Sequence, residues 1–264
     1  DYHSMAPCLI MNPGRDFKVM VDVNGDGNLV ESVIPNSYMK LPEYDRTYNA
    51  LEFSVSRDKQ DGWYLNASYT LAKSEGNIEG YVNSTLEQND AGLTQDFDHE
   101  RFQTNTDGYL PNDRRHALKF SGVYQLTDDW SMGLVARAPS GQPRNKFSIH
   151  PTGVDTCESG LWADWCASQW YDEASFYDWD GTPAPRGSAG RLDWLYELDF
   201  SVTYATTIKG GDFTVKGTIY NLFNFDTPLR VNEIAQVTNT DGSFSANPEW
   251  GVATKLQDNR TVSL

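Results

Sequence analysis

The sequence predicts an all-β protein, an antiparallel transmembrane β-barrel with short periplasmic turns and long extracellular loops. Three observations carry that expectation. Apolar and polar residues alternate with period 2 over stretches of about ten residues, the spacing that sends neighbouring side chains to opposite faces of a strand. The stretches come in pairs joined by tight polar turns. Long segments without any pattern separate the pairs. A tilted strand that crosses a membrane needs about 9–11 residues, whereas ordinary strands average about 5–6.

The first stretch, 48–57, sets Leu51, Phe53 and Val55 against Glu52, Ser54 and Ser56. DKQDG then turns the chain, and 63–72 sets Trp63, Leu65, Ala67, Tyr69 and Leu71 against Tyr64, Asn66, Ser68 and Thr70. Together they read as a β-hairpin. The stretch 116–126 places Leu118, Phe120, Gly122, Tyr124 and Leu126 opposite Lys119, Ser121 and Gln125. Thr127, Asp128 and Asp129 make the next turn, and 130–139 continues with Trp130, Met132, Leu134, Ala136 and Ala138 on one face. A third pair covers 195–208 and 213–224, joined through Lys209, Gly210, Gly211 and Asp212. Here Tyr196, Leu198, Phe200, Val202 and Tyr204 oppose Glu197, Asp199, Ser201 and Thr203. A last strand opens at 259–264.

The segments 80–113, 144–193 and 225–258 are expected to be long loops. Compact soluble domains rarely hold structureless loops beyond about 15 residues. A soluble sandwich explains the alternation equally well, but not ten-residue strands whose connections are short and long in strict turn. The second face points the same way: Glu52, Asn66, Lys119, Glu197, Asp199 and Lys216 lie in mid-strand, where a wet lumen tolerates charge. Tyr48, Trp63, Tyr124, Trp130 and Tyr204 stand near strand ends, as interfacial girdles do.

Charge narrows the partners. The chain of 264 residues has 21 Lys+Arg against 37 Asp+Glu, a net −16. Nucleic acid is excluded as a partner, because affinity for phosphate backbones comes mainly from Lys and Arg. A polybasic membrane-surface binder is excluded for the same reason. Aromatic residues reach 13%, too many for a disordered chain. No run of about 18 apolar residues exists, so no transmembrane helix is expected. The opening DYHSMAPCLIMNPGRD lacks a basic start and an apolar core, so no signal peptide is expected in it.

Three motifs carry chemistry. In DVNGDGN at 22–28, Asp22, Asn24 and Asp26 occupy the first oxygen-ligand positions of a calcium loop, with Asn28 following and Gly27 permitting the sharp turn. The bidentate Glu of an EF-hand is replaced by Val33, and Glu31 is the nearest substitute. A looser extracellular Ca2+ loop and a plain Asp/Asn/Gly turn both remain open; no cofactor is otherwise required. Cys157 and Cys166 have a spacing that suits a small disulfide loop, worth about 2–3 kcal/mol, with two free thiols as the alternative. A zinc site lacks the further ligands it would need nearby. Between 157 and 179, Trp162, Trp165, Trp170, Tyr171, Tyr177 and Trp179 are interspersed with carboxylates. Aromatic faces beside carboxylates suit ligands with C–H faces and hydroxyls, or cations. The segment reads as a ligand-capturing lid or as a loop that packs on its own aromatics.

Catalysis finds no support. His3, His99, His116 and His150 form neither a HExxH nor a Ser-His-Asp pattern, and G-x-S-x-G is lacking. Asp113, Arg114, Arg115 and His116 read as a charge cluster at the start of a strand. The chain is expected not to be an enzyme.

Several segments resemble the C-terminal barrel of TonB-dependent outer-membrane receptors, particularly the Oar-like branch with a carboxypeptidase-regulatory-like domain upstream. They are YNALEFSVSR followed by WYLNASYTLAKSEGNIEG, LPNDRRHALKFSGVYQL, the SGQP after Ala138, and YNLFNFDTP, within which Asn221, Leu222, Phe223 and Asn224 match the penultimate-strand signature. The segments span most of 40–264 in order. The resemblance implies a barrel of about 22 strands (a count the family supplies) in the outer membrane of a Gram-negative bacterium. It implies as partners the membrane lipid, the remaining N-terminal barrel and plug of the same receptor, the TonB system acting through that plug, and an unknown imported ligand. It makes 1–264 the C-terminal part of such a barrel, with ligand binding at the extracellular loops. Two other classes compete: a small structural or adhesive outer-membrane barrel, and a secreted calcium-binding β-sandwich that recognises carbohydrate.

Overall fold

The computed structural model describes residues 13–80, 82–85, 103–151 and 175–264. Six long strands dominate: β3 (Arg46–Gln60), β4 (Trp63–Gly76), β6 (His116–Gln125), β7 (Trp130–Pro139), β8 (Glu197–Ile208) and β9 (Gly211–Tyr220). With β14 (Thr261–Ser263) they form one sheet in the order β14-β9-β8-β7-β6-β4-β3, and two-residue β5 (Gly108–Tyr109) pairs with the end of β4. The pairings are antiparallel. The sheet is open, with β3 and β14 at its edges.

The register makes each face continuous. Val55, Ala67, Phe120, Ala136 and Leu198 are direct cross-strand partners in one row. Leu65, Gly122, Leu134, Phe200 and Ile219 form the next. The opposite face carries Ser54, Ser68, Lys119, Arg137 and Glu197 in one row, and Ser56, Asn66, Ser121, Val135 and Asp199 in another. A one-residue slip in any pair would mix the two faces. The strict alternation in sequence is what holds that register.

Aromatics close both ends of the apolar face. At the short-turn end, Trp63 opposes Tyr124, and Trp130 opposes Tyr204 with ring centroids 4.8 Å apart. At the long-loop end, Tyr69, His116, Trp194, Tyr196, Phe225 and Phe223 follow one another with centroids 5.8–6.4 Å apart. Tyr204 lies eight positions after Tyr196. At about 3.3 Å per residue and a tilt of about 40°, they span about 20 Å of height, close to the apolar band of about 25 Å in outer-membrane barrels. Tyr48 departs from its expected place. It pairs with Ser74 on the polar face, because unbroken register from Tyr48 to Val55 places it opposite in parity to Leu51 and Phe53.

Several elements differ from expectation. The strand expected over 48–57 runs over Arg46–Gln60, and that expected over 63–72 runs to Gly76, since the β3–β4 ladder continues beyond the alternating stretch. The strand expected over 213–224 covers Gly211–Tyr220. Asn221 ends it by adopting φ 49° and closing a turn on itself: its Oδ1 accepts the Phe225 N–H at 2.9 Å, and its Nδ2 donates to the carbonyls of Phe225 and Asp258. The segment 225–258 is built rather than patternless. It holds the pair β10 (Pro228–Val231) and β13 (Ala253–Leu256) and the pair β11 (Gln236–Thr238) and β12 (Phe244–Ala246). An unforeseen hairpin, β1 (Phe17–Val21) with β2 (Val30–Ile34), precedes the one-turn helix α1 (Asn36–Met39). Its strands are too short and exposed for sequence periodicity to register.

Candidate functional site

The turns β3–β4, β6–β7 and β8–β9 are short and lie on one edge of the sheet; the connections β4–β6, β7–β8 and β9–β14 are long and lie on the other. The described parts of these connections pack on one another into a single body at the long-loop end of the polar face. Ser74 and Ala72, at the end of that face on β4, are buried beneath it. Leu110 N–H donates to the Ser74 carbonyl at 3.1 Å, and Ser74 Oγ lies 2.9 Å from Asn112 Oδ1.

The loops have their own core. Leu110, Phe147, Phe176, Tyr177, Ala184 and Ala235 are buried. Phe147 and Phe176 meet with ring centroids 4.8 Å apart, and the Arg186 guanidinium covers Phe176 at 4.5 Å. Arg186 also donates to the carbonyls of Thr106 and Asn77, at 2.6 and 3.2 Å, so a buried guanidinium ties β7–β8 to β4–β6. Asn105 Nδ2 donates to the Phe176 carbonyl at 3.1 Å across the same boundary.

Two carboxylates anchor the body. Asp113, its side chain fully buried, receives Arg191 at 2.7 Å and Arg115 at 3.1 Å. Arg191 and Arg115 both lie over the Tyr109 ring, at 5.3 and 5.0 Å. Glu233 Oε2 accepts the backbone N–H and the side-chain Nδ2–H of Asn145, at 2.9 and 2.8 Å. Burial pushes the Glu233 carboxyl up to about 7, against the opposing pull of both Asn145 hydrogen bonds and of Arg144. Lys146 pairs with Asp178, and Lys146 and Arg144 both lie against the Trp250 ring.

The residues singled out from sequence divide into three groups. Trp162, Trp165, Trp170, Tyr171, Cys157 and Cys166 lie outside the described residues. Tyr177 and Trp179 are separated by burial: Tyr177 sits in the loop core with its OH 3.4 Å from His150 Nε2, while Trp179 is exposed. Tyr177 therefore packs the body instead of offering it an open aromatic face. Asp22, Asn24, Asp26 and Asn28 share the β1–β2 turn. Asp22 accepts the N–H groups of Gly25, Asp26 and Gly27, and Asp26 accepts Asn28 N–H and Asn24 Nδ2–H. These bonds hold both carboxyls below the ordinary Asp value, Asp22 chiefly through Gly27 and Asp26 chiefly through Asn28. Glu31 is elsewhere, 2.9 Å from Lys18 across the hairpin. A calcium ion takes 6–8 oxygens. The turn supplies only part of such a shell, and among the described residues no group of three or more His, Cys, Asp or Glu is placed to hold a metal.

Asn145, Glu233, Arg186 and Arg191 escaped sequence reasoning. Each works through partners tens of residues away, and no spacing rule marks them. Asp113 was visible only as part of a charge cluster, whose buried member the sequence does not distinguish.

No protein-family model matches the chain. A search of curated proteins finds the TonB-dependent transporter Oar of Myxococcus xanthus, 28% identical over 192 residues. The match covers 70% of this chain and 16% of the transporter, so the chain spans under a fifth of that relative's length. Among solved structures, the ferric-catecholate import receptor Fiu of E. coli K12 aligns with a TM-score of 0.41 and 16% identity, over 94% of this chain and 23% of that one. With its two-faced antiparallel sheet, the chain is a sequence homologue of a TonB-dependent transporter.

Proposed function

We propose that the chain is a wall segment and loop cap of an outer-membrane TonB-dependent transporter of a Gram-negative bacterium, importing a ligand without covalent chemistry on it. The observation that carries this reading is the unbroken apolar face between two aromatic rows, backed by a polar face with Lys119, Arg137, Glu197 and Asp199 in mid-strand. Hydrocarbon accepts the first face and excludes the second. It also excludes unpaired strand edges. The edges at β3 and β14 thus call for further strands of the same barrel, and the barrel for a plug that the TonB system moves. Ligand capture is assigned to the extracellular loop body and to the aromatic segment 157–179, with Trp162, Trp165, Trp170, Tyr171 and Trp179 as its contact surface.

Cysteine accessibility tests the reading. In the full-length protein in isolated outer membranes, Phe200→Cys stays unreactive to a water-soluble maleimide, and Thr203→Cys on the polar face reacts. Equal labelling at both positions, or recovery of the protein in the soluble fraction, rejects the membrane wall.

A further inference from the structure

Asn145 spends every polar group it has on other stretches of chain. Its backbone N–H and its side-chain Nδ2 both donate to Glu233 Oε2. Its Oδ1 accepts Gly187 N–H at 2.7 Å, and its carbonyl accepts Trp250 Nε1–H at 3.2 Å. Backbone bonds continue the seam: Phe147 N–H to the Glu233 carbonyl at 2.9 Å, and Ala235 N–H to the Phe147 carbonyl at 2.7 Å. Asn145 is 2% exposed and Glu233 5%. The Glu233 carboxyl thereby sits inside the seam of hydrogen bonds that joins the β7–β8 connection to the β9–β14 connection.

A carboxylate in such a place is costly to ionise unless a cation meets it directly. The charged neighbours have other attachments. Arg144 attracts the ionised form but lies over the Trp250 ring, 4.9 Å from its centroid. Lys146 is paired with Asp178. Arg186, on the strand of chain beside Gly187, hydrogen-bonds the Thr106 and Asn77 carbonyls. Glu249, one residue before Trp250, is exposed. Burial therefore dominates, and the group takes up its proton near neutrality.

We infer that the Glu233–Asn145 contact is a proton-operated clasp: the protonated carboxyl holds the β7–β8 and β9–β14 connections together, and release of the proton to solvent lets them part. The clasp concerns the loop body alone, so its test is separate from that of the membrane wall.

Hydrogen exchange of the full-length protein in detergent, corrected for intrinsic rates, reads the clasp directly. Between about pH 5.5 and about pH 8.5, amides in 144–148 and 232–236 are expected to lose about thirtyfold in protection: a carboxyl that titrates at about 7 in the closed body and at its ordinary 4.5 when opened loses about tenfold per pH unit up to about 7, and the loss then levels off. Amides of β8 and β9 serve as the internal reference and stay constant. Glu233→Gln keeps the acceptor and the burial without a titrating proton, so its protection is high at both values. Equal corrected protection in the wild type at both values overturns the clasp whether or not the variant folds. A Gln variant that loses protection in step with the wild type overturns it as well.

Discussion

Phe200 on β8 stands directly opposite Leu134 on β7, while its neighbour Ser201 stands opposite Gly133 on the other face. On the proposed membrane wall those two adjacent side chains face different solvents, so they answer one substitution differently. Phe200→Arg places a guanidinium among Leu134, Ile219 and the rest of the apolar row, and a charge near the middle of the lipid face costs about 2–4 kcal/mol. Ser201→Arg points into water and costs much less. Urea unfolding of the full-length protein in lipid vesicles measures both; equal losses contradict the facing.

Asp113 holds two guanidiniums with a carboxylate of zero exposure. Asp113→Ala leaves Arg191 and Arg115 facing each other over Tyr109 without their counter-charge. Removing one member of a buried ion pair costs about 3 kcal/mol or more. Proteolysis is the sensitive readout, since the loss falls on the loop body: cleavage within 103–115 and 186–193 is expected to accelerate while β6–β9 stay intact. Unchanged cleavage would show that the triad contributes nothing to loop docking.

Gly141 passes so close to the chain at Leu192 that a Cβ there would lie 1.6 Å from the Leu192 carbonyl oxygen and 2.8 Å from that of Asp193. Backbone cannot yield as a flexible side chain does. Gly141→Ala is expected to cost at least the about 1–3 kcal/mol typical of overpacking, and to displace Arg191, which donates to the Gly141 carbonyl at 3.2 Å. A calorimetric Tm equal to the wild type's would mean that the two segments separate without penalty.

The Glu233 carboxyl also links global stability to pH. Its value is about 7 in the folded chain against an ordinary 4.5, so the folded state binds the proton more tightly. The stabilisation is complete below about pH 4.5 and is lost as pH rises through about 7, amounting to about 3 kcal/mol for Glu233 alone. Glu233→Gln is expected to flatten that part of the stability curve. An undiminished slope in the variant would assign it to another group.

If the β1–β2 turn takes calcium, the Kd is expected to be no tighter than the about 10⁻⁴–10⁻³ M of extracellular modules, because the turn supplies only part of a coordination shell and Glu31 pairs with Lys18. Lys18→Ala frees that carboxylate and should tighten binding in a calorimetric titration. Micromolar affinity in the wild type would show that Glu31 leaves Lys18 for the ion.

What sequence alone determined was the class of fold and the facing of its strands. Period-2 alternation is a local property, and every strand from β3 to β9 except two-residue β5 carries it within its own ten or so residues. Tyr48 shows the limit: aromatic character suggested a girdle, but parity placed it on the polar face. Asn221 shows another, since one side chain closing a turn ended β9 earlier than its apolar pattern did. The loop body was decided by tertiary structure alone. Its core joins Phe147 to Phe176, and its clasp joins Asn145 to Glu233, 88 positions away. Such contacts are selected by shape and by the need to satisfy buried polar groups, which leave no period in a sequence. A strand announces its two solvents residue by residue; a loop's partners exist only once the chain has brought them together.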